Sequence, residues 1–179
     1  MDVLAGLNVE TTRAFMDEAR NEEAILQHHD AITGTSPQGT ADDYSRRLYS
    51  AYTASRAVIE KAYKRLLTKT ESNQQIFCDS LNITECSISE TSDKIAVTIY
   101  NPIGRPLSQY IRVPIVSGNY EVYDPNGEKV THEVVVPVSK AVTVLPGRKS
   151  HSMDELVFKA NLLPLGFVTY LLKKTNTEK

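Results

Sequence analysis

The sequence predicts an α+β chain in two parts, a helical hairpin or bundle segment followed by an antiparallel, β-sandwich-like module. Three observations carry that expectation. Apolar residues recur at spacings of three and four over 40–67, with no Pro or Gly between them. Beyond Cys86, β-branched and aromatic residues gather into short runs that prolines punctuate. Between these regions the character of the chain changes near residue 70, ahead of a close cysteine pair, Cys78 and Cys86. The expected divisions are 1–72 for the helical part, 73–92 for a disulfide-pinned, glycosylated connector and 93–179 for the β part.

A first helix is expected over about Thr12–Gln27, with Phe15, Ala19 and Leu26 turned inward. Thr33-Gly34-Thr35-Ser36-Pro37 breaks it from the next. The second helix places Tyr44, Leu48, Ala51, Tyr52, Ser55, Val58, Ile59, Ala62, Tyr63 and Leu66 on one stripe. Asp42 and Asp43 fall in its expected first turn and Lys64 and Arg65 in its last, each favourable to the helix dipole. That position explains the Asp pair better than paired catalytic carboxylates do, and the tyrosines read as core rather than as a sugar-stacking platform. Two helices cannot bury such a stripe alone, so a further helix or domain is expected to cover it.

Strands are expected over 95–100, 110–116, 120–123, 130–138, 156–160 and 167–172. Asp124-Pro125-Asn126-Gly127 reads as the turn of a hairpin between the third and fourth. Segment 139–152 reads as a loop, and the spacing of the runs suggests an antiparallel sandwich or the first part of one.

Composition narrows the partners. A net charge of −2 over 179 residues offers no electrostatic case for nucleic acid or an acidic membrane surface. No apolar run approaches the length of a membrane span. The segment Met1-Asp2-Val3-Leu4-Ala5-Gly6-Leu7 has neither a basic nor a long apolar stretch of signal-peptide type. Cys78 and Cys86 enclose Asn82-Ile83-Thr84, an acceptor triplet for N-glycosylation, which points to a disulfide, a glycan on Asn82 and a secreted or lumenal protein. A secretory-type chain without a signal peptide is expected to be a fragment of a longer precursor.

The chemistry concentrates in Gln27-His28-His29-Asp30-Ala31-Ile32-Thr33-Gly34-Thr35, which holds two of the chain's four histidines. Two imidazoles and a carboxylate are metal-ligand types, but zinc takes three or four donors. Neighbours near a helix end point about 100° apart, so the three are not expected to converge on one ion. One can ligate while the others contact something else. The bland reading is that His28 and His29 are hydrogen-bonded structural residues at a helix end. His132 and His151 lack metal-type spacing, and no HExxH or CxxC is present.

Gln27–Thr35, with Ala41-Asp42-Asp43-Tyr44 and Arg47-Leu48 after it, resembles glycoside hydrolase family 38, the α-mannosidases. Phe77–Cys86, Tyr100-Asn101-Pro102-Ile103-Gly104-Arg105, Tyr123–Gly127 and Leu163-Pro164-Leu165-Gly166-Phe167 resemble its lysosomal type. The resemblance implies a helical middle domain followed by the start of a C-terminal β region. It implies a zinc-dependent retaining exo-α-mannosidase acting on terminal mannose of oligosaccharides. His29 matches a zinc ligand, Asp30 a residue that hydrogen-bonds sugar hydroxyls and His28 a neighbouring active-site histidine. The remaining ligands, the nucleophile and the general acid have no counterpart here, so the isolated chain is expected to be inactive. Its implied partners are an N-terminal catalytic portion and further C-terminal β domains. The competing expectation is a non-catalytic glycan-binding or subunit-interaction module derived from that family.

Overall fold

A computed structural model describes residues 6, 8–67, 75–131 and 133–175, apart from the side chain of residue 9. The chain divides into two compact units, Met1–Gln75 and Ile76–Lys179. The first is helical and the second carries two antiparallel sheets, so the two-part α+β expectation holds. The segment expected as a connector over 73–92 falls, from Ile76 onward, within the second unit.

Helix α1 spans Val9–Leu26, α2 is the single turn His29–Ile32, and α3 spans Gln38–Leu67. Both long helices begin earlier than their apolar periodicity suggests, because capping rather than the stripe sets the boundary. The Asn8 side chain accepts the Glu10 N–H at 2.9 Å. The Pro37 carbonyl accepts the N–H groups of Thr40 and Ala41, both at 3.0 Å. With α3 starting at Gln38, Asp42 and Asp43 lie beyond its first turn, which holds no acidic residue. The dipole role expected for them is therefore corrected. Asp43 accepts instead from Arg46 and Arg47, which hold its carboxyl below the ordinary range. Arg47 also reaches Glu22 of α1 at 3.0 Å, and Ser50 donates to Glu18 at 2.7 Å, so polar bonds flank the α1–α3 seam. Lys64 and Arg65 occupy the last turn as expected.

The buried face of α3 is narrower than the predicted stripe. Ala51, Ala54, Val58 and Ala62 form it, while Leu48, Tyr52 and Leu66 are exposed and Tyr44 and Tyr63 half-buried. Small residues bring two helix backbones close, and the larger side chains are left on the flanks of a two-helix seam. Tyr52 thus does not serve as core within this unit.

In the second unit β1 (Lys94–Tyr100), β6 (Phe167–Thr175) and β3 (Asn119–Tyr123) form one sheet in the order β1-β6-β3. The other sheet is β2 (Leu107–Ile115), β5 (Asp154–Leu162) and β4 (Glu133–Pro137), in the order β2-β5-β4. All pairs are antiparallel. Alternate residues of β5, Leu156, Phe158, Ala160 and Leu162, face a core shared with Val168, Tyr170 and Leu172 of β6. Phe158 and Tyr170 meet across it with ring centroids 5.2 Å apart. Pro114 is tolerated because β2 lies on an edge, and Pro137 ends the opposite edge strand.

The predicted hairpin is only partly present. Asp124 accepts the N–H groups of Asn126 and Glu128 at 2.8 and 2.9 Å, and Gly127 takes a left-handed φ of 84°. Tyr123 bridges Lys129, and the Val130 N–H donates to Val122. The chain then crosses to the other sheet, where β4 pairs with β5 rather than β3. The strand expected over 130–138 is shortened by that crossing, and its His132 lies outside the described residues. The loop expected over 139–152 contains the single turn α5, Lys140–Thr143, whose cap Ser139 accepts from Val142.

Two motifs of the resemblance fold against each other. The Asn101 amide is buried, donates to the carbonyls of Arg105 and Leu163, both at 2.9 Å, and accepts the Ile103 N–H at 3.0 Å. It thereby ties 101–105 to 163–166. Cys78 and Cys86 are disulfide-bonded as expected, with Cα atoms 5.0 Å apart. They close a loop containing the 3₁₀ turn Leu81–Ile83, ahead of the short helix α4, Ser87–Thr91. Arg148 donates to the carbonyls of Ile83, Thr84, Ser150 and Ser152, and so fixes that loop to the segment before β5. Glu90 of α4 accepts from the Ser150 hydroxyl and from the N–H groups of His151 and Cys86.

Replacing Asn101 by Ala removes three hydrogen bonds within and between the two turns, and is expected to destabilise the β unit by about 3 kcal/mol in urea denaturation; a change within experimental error would show that the amide does not hold the clasp. Burial alone would raise the Glu90 carboxyl, but its hydrogen bonds outweigh that and hold it below its ordinary value of 4.5. A carboxyl lowered by folding stabilises above its unfolded value and loses that contribution as pH falls through the folded one. Glu90→Gln is therefore expected to lower stability at neutral pH and to flatten its decline below pH about 4.5, read from urea midpoints across pH. An unaltered pH profile would contradict the role given to Glu90.

Candidate metal-binding site

The segment between α1 and α3 is a compact turn assembled by its own short side chains. His28 stands before α2 with extended backbone, φ −52° and ψ 139°, and its carbonyl accepts from Ala31 and Ile32 at 2.9 and 3.1 Å. Gly34 ends the turn at a left-handed φ of 69°, a conformation that glycine adopts without strain. That reversal brings Thr35 back over Asp30. The Thr35 N–H donates to the Asp30 carbonyl at 3.1 Å, and its hydroxyl to Asp30 Oδ1 at 3.0 Å. The Ser36 hydroxyl donates to the same carbonyl at 2.8 Å. Thr33 donates to the His29 carbonyl, and its hydroxyl oxygen lies 2.8 Å from that of Thr35.

With Oδ1 held by Thr35, Oδ2 of Asp30 faces both imidazoles. It lies 3.5 Å from His28 Nε2 and 3.6 Å from His29 Nε2. The two rings are stacked obliquely, their centroids 4.2 Å apart. One donor atom from each residue lies within 4.8 Å of the others. The expectation that adjacent side chains would diverge is corrected. The 100° rule applies between helical residues, and His28 precedes the helix on extended backbone, so its ring swings to the side that His29 and Asp30 occupy.

Two imidazole nitrogens and a carboxylate oxygen are the donor types zinc favours. Their 3.5 and 3.6 Å separations are close to the edge, about 3.3 Å, of a tetrahedron of such donors around zinc. Two of the three separations are thus near that edge, and the third, between the imidazoles, lies within 4.8 Å, so the residues could hold a small divalent cation together with ligands from elsewhere. All three side chains are open to solvent, at 46% for His28, 81% for His29 and 48% for Asp30, so the remaining coordination space faces outward. Asp30 Oδ2 and the imidazole nitrogens are equally able to meet the hydroxyls of a sugar.

Of the other candidates, His151 is exposed and its backbone, not its ring, bonds Glu90. Asn82 is exposed in the 3₁₀ turn. Sequence reasoning did not single out Thr35, Thr33 or Ser36 as parts of the site. The signal was present in a hydroxyl residue on each side of a glycine, five residues after a carboxylate, since such hydroxyls commonly bond nearby backbone and side chains.

Comparison with known proteins identifies the family of the chain. Residues 3–66 match the family model described as the alpha mannosidase middle domain. The chain is 38% identical over 147 residues to the lysosomal alpha-mannosidase of Homo sapiens, covering 82% of this chain and 14% of that protein. It is 36% identical over 152 residues to that of Mus musculus, covering 84% of this chain and 14% of the relative. A probable alpha-mannosidase of Arabidopsis thaliana is 33% identical over 178 residues, covering 89% of this chain and 17% of the relative. The chain thus spans about a seventh of the length of the mammalian relatives it matches. With a middle-domain match over its helical unit and homology to lysosomal members across most of its length, this chain belongs to the α-mannosidases of glycoside hydrolase family 38.

Proposed function

We propose that this chain is the part of a zinc-dependent, retaining exo-α-mannosidase that completes the metal and sugar site. The observation that carries the reading is the convergence of His28, His29 and Asp30 on one small volume at an exposed turn. His29, the most exposed of the three, would offer its imidazole to a zinc ion whose other protein ligands lie outside this chain. Asp30 would accept hydrogen bonds from mannose hydroxyls, with His28 beside it. When bound, zinc supplies Lewis-acid charge that orients sugar hydroxyls and favours ring distortion. The chain's own contribution is positioning. Thr35 fixes one carboxylate oxygen of Asp30, so the other is presented without rotational freedom to whatever enters. A site that bonds specific hydroxyls discriminates against sugars that cannot supply them.

The carboxylates for nucleophilic attack and for protonation of the leaving oxygen have no place in this set, because retention needs two carboxyl groups facing each other across the scissile bond. In this reading they come from an N-terminal catalytic portion, and further C-terminal β domains complete the enzyme. The substrate is a mannose-terminated oligosaccharide. The disulfide, the acceptor triplet at Asn82 and the lysosomal relatives support a lysosomal or secretory-pathway setting with a glycan on Asn82. Among the described residues no helix is long and apolar enough to cross a membrane.

In the complete enzyme, His29→Ala is expected to strip the zinc and to lower kcat/KM on an aryl α-mannoside on the order of a thousand-fold, a loss of about 4 kcal/mol of transition-state stabilisation. Metal content by atomic absorption decides the matter: a variant that keeps its full zinc complement would remove His29 from the coordination sphere.

A further inference from the structure

The acceptor triplet is displayed unequally in the folded β unit. Asn82 is exposed, but Thr84, whose hydroxyl completes the triplet, is only 4% exposed. Its Oγ1 already donates to Glu155 Oε1 at 2.9 Å, while the other oxygen of Glu155 pairs with Arg112 Nε at 2.9 Å. The backbone around it is equally committed. Thr84 sits at a left-handed φ of 54°. The carbonyls of Ile83 and Thr84 accept from Arg148 at 2.9 and 3.0 Å. Ser80 and Glu85 are bridged, and the disulfide closes the loop outside them. A triplet that is an acceptor only with a hydroxyl at its third position must present that hydroxyl to the enzyme that reads it. Here the hydroxyl is buried and bonded, and the turn cannot be drawn out without breaking the Arg148 bonds and the Ser80–Glu85 bridge.

We propose that Asn82 accepts its glycan only before the Cys78–Cys86 loop closes against residues 148–155, so that folding itself shuts the acceptor. The order works in one direction only. A glycan added first projects from an exposed side chain and leaves the fold intact, whereas a fold completed first hides the Thr84 hydroxyl. In the transfer, Asn82 Nδ2 forms a bond to the anomeric carbon of an oligosaccharide carried on a lipid pyrophosphate. The bond from that carbon to the pyrophosphate oxygen breaks, the lipid pyrophosphate departs, and the amide nitrogen gives up one proton to a base of the transferase. The proposal rests on the reading of Asn82 as an acceptor, and the experiment separates the two.

The full chain, made without glycan, is offered to an oligosaccharyltransferase with its lipid-linked donor in two forms: folded and oxidised, or reduced and alkylated so that the loop cannot close. Occupancy of Asn82 is read by mass spectrometry. The proposal expects the reduced, alkylated chain to be modified at least about tenfold more than the folded one. Equal modification of both would overturn the ordering while leaving Asn82 as an acceptor. Modification of neither, under conditions in which a synthetic acceptor peptide is modified, would remove Asn82 as an acceptor and the ordering with it.

Discussion

The hydrogen bond from the Thr35 hydroxyl to Asp30 Oδ1 is the constraint on which the candidate site depends. A carboxylate has two equivalent oxygens and a freely turning terminal torsion. Once one oxygen is fixed, the other can face only one way, and here it faces both imidazoles. The turn is built for this purpose from cheap parts: an extended residue before one helical turn, a left-handed glycine after it, and hydroxyls that return to the start. The donors therefore converge without any support from a hydrophobic core, which is why they can remain open to solvent and to other parts of an enzyme. A site of this kind contributes to an assembly rather than enclosing a ligand by itself.

The β unit solves a different problem with the same means. Its sandwich core fixes the strands, but the long segments that cross between sheets have no ladder to satisfy their backbone. Asn101 and Arg148 supply the missing partners, the first for the turns at 101–105 and 163–166, the second for the disulfide loop and the approach to β5. Polar side chains that bond several backbone groups are costly to bury and costly to remove, so each clasp specifies one loop arrangement. Asn101 and Arg47 thus each have a structural task within their own unit.

The elements were legible wherever local chemistry decides them. Periodicity announced α1, α3 and five of the six strands within a few residues, because burial of one face imposes a repeat of 3.6 or 2 on the sequence. The ends of α1 and α3 were less legible, since Asn8 and Pro37 act through single hydrogen bonds that leave no periodic trace. The fate of residues 130–138 was hidden for another reason: the Asp124–Gly127 turn is genuine, but whether a chain stays in its sheet after a turn depends on which strand offers a free edge, a property of the whole sandwich. At the site, residue types showed that His28, His29 and Asp30 matter, while their convergence was missed because it depends on the backbone of one residue lying just outside a helix. The narrow alanine seam of α3 was likewise hidden behind the larger tyrosines and leucines that share its periodicity.

The central claim is that Thr35 aims the free oxygen of Asp30 at the sugar while His29 holds the metal. Steady-state kinetics of the complete enzyme on an aryl α-mannoside, for Thr35→Val and Thr35→Ser and with zinc content measured beside them, test it most directly. Valine keeps the shape and removes the hydroxyl; serine keeps the hydroxyl. The account predicts that the valine form loses about 10- to 100-fold in kcat/KM with its zinc retained, while the serine form stays close to the parent. A valine form as active as the parent would contradict it.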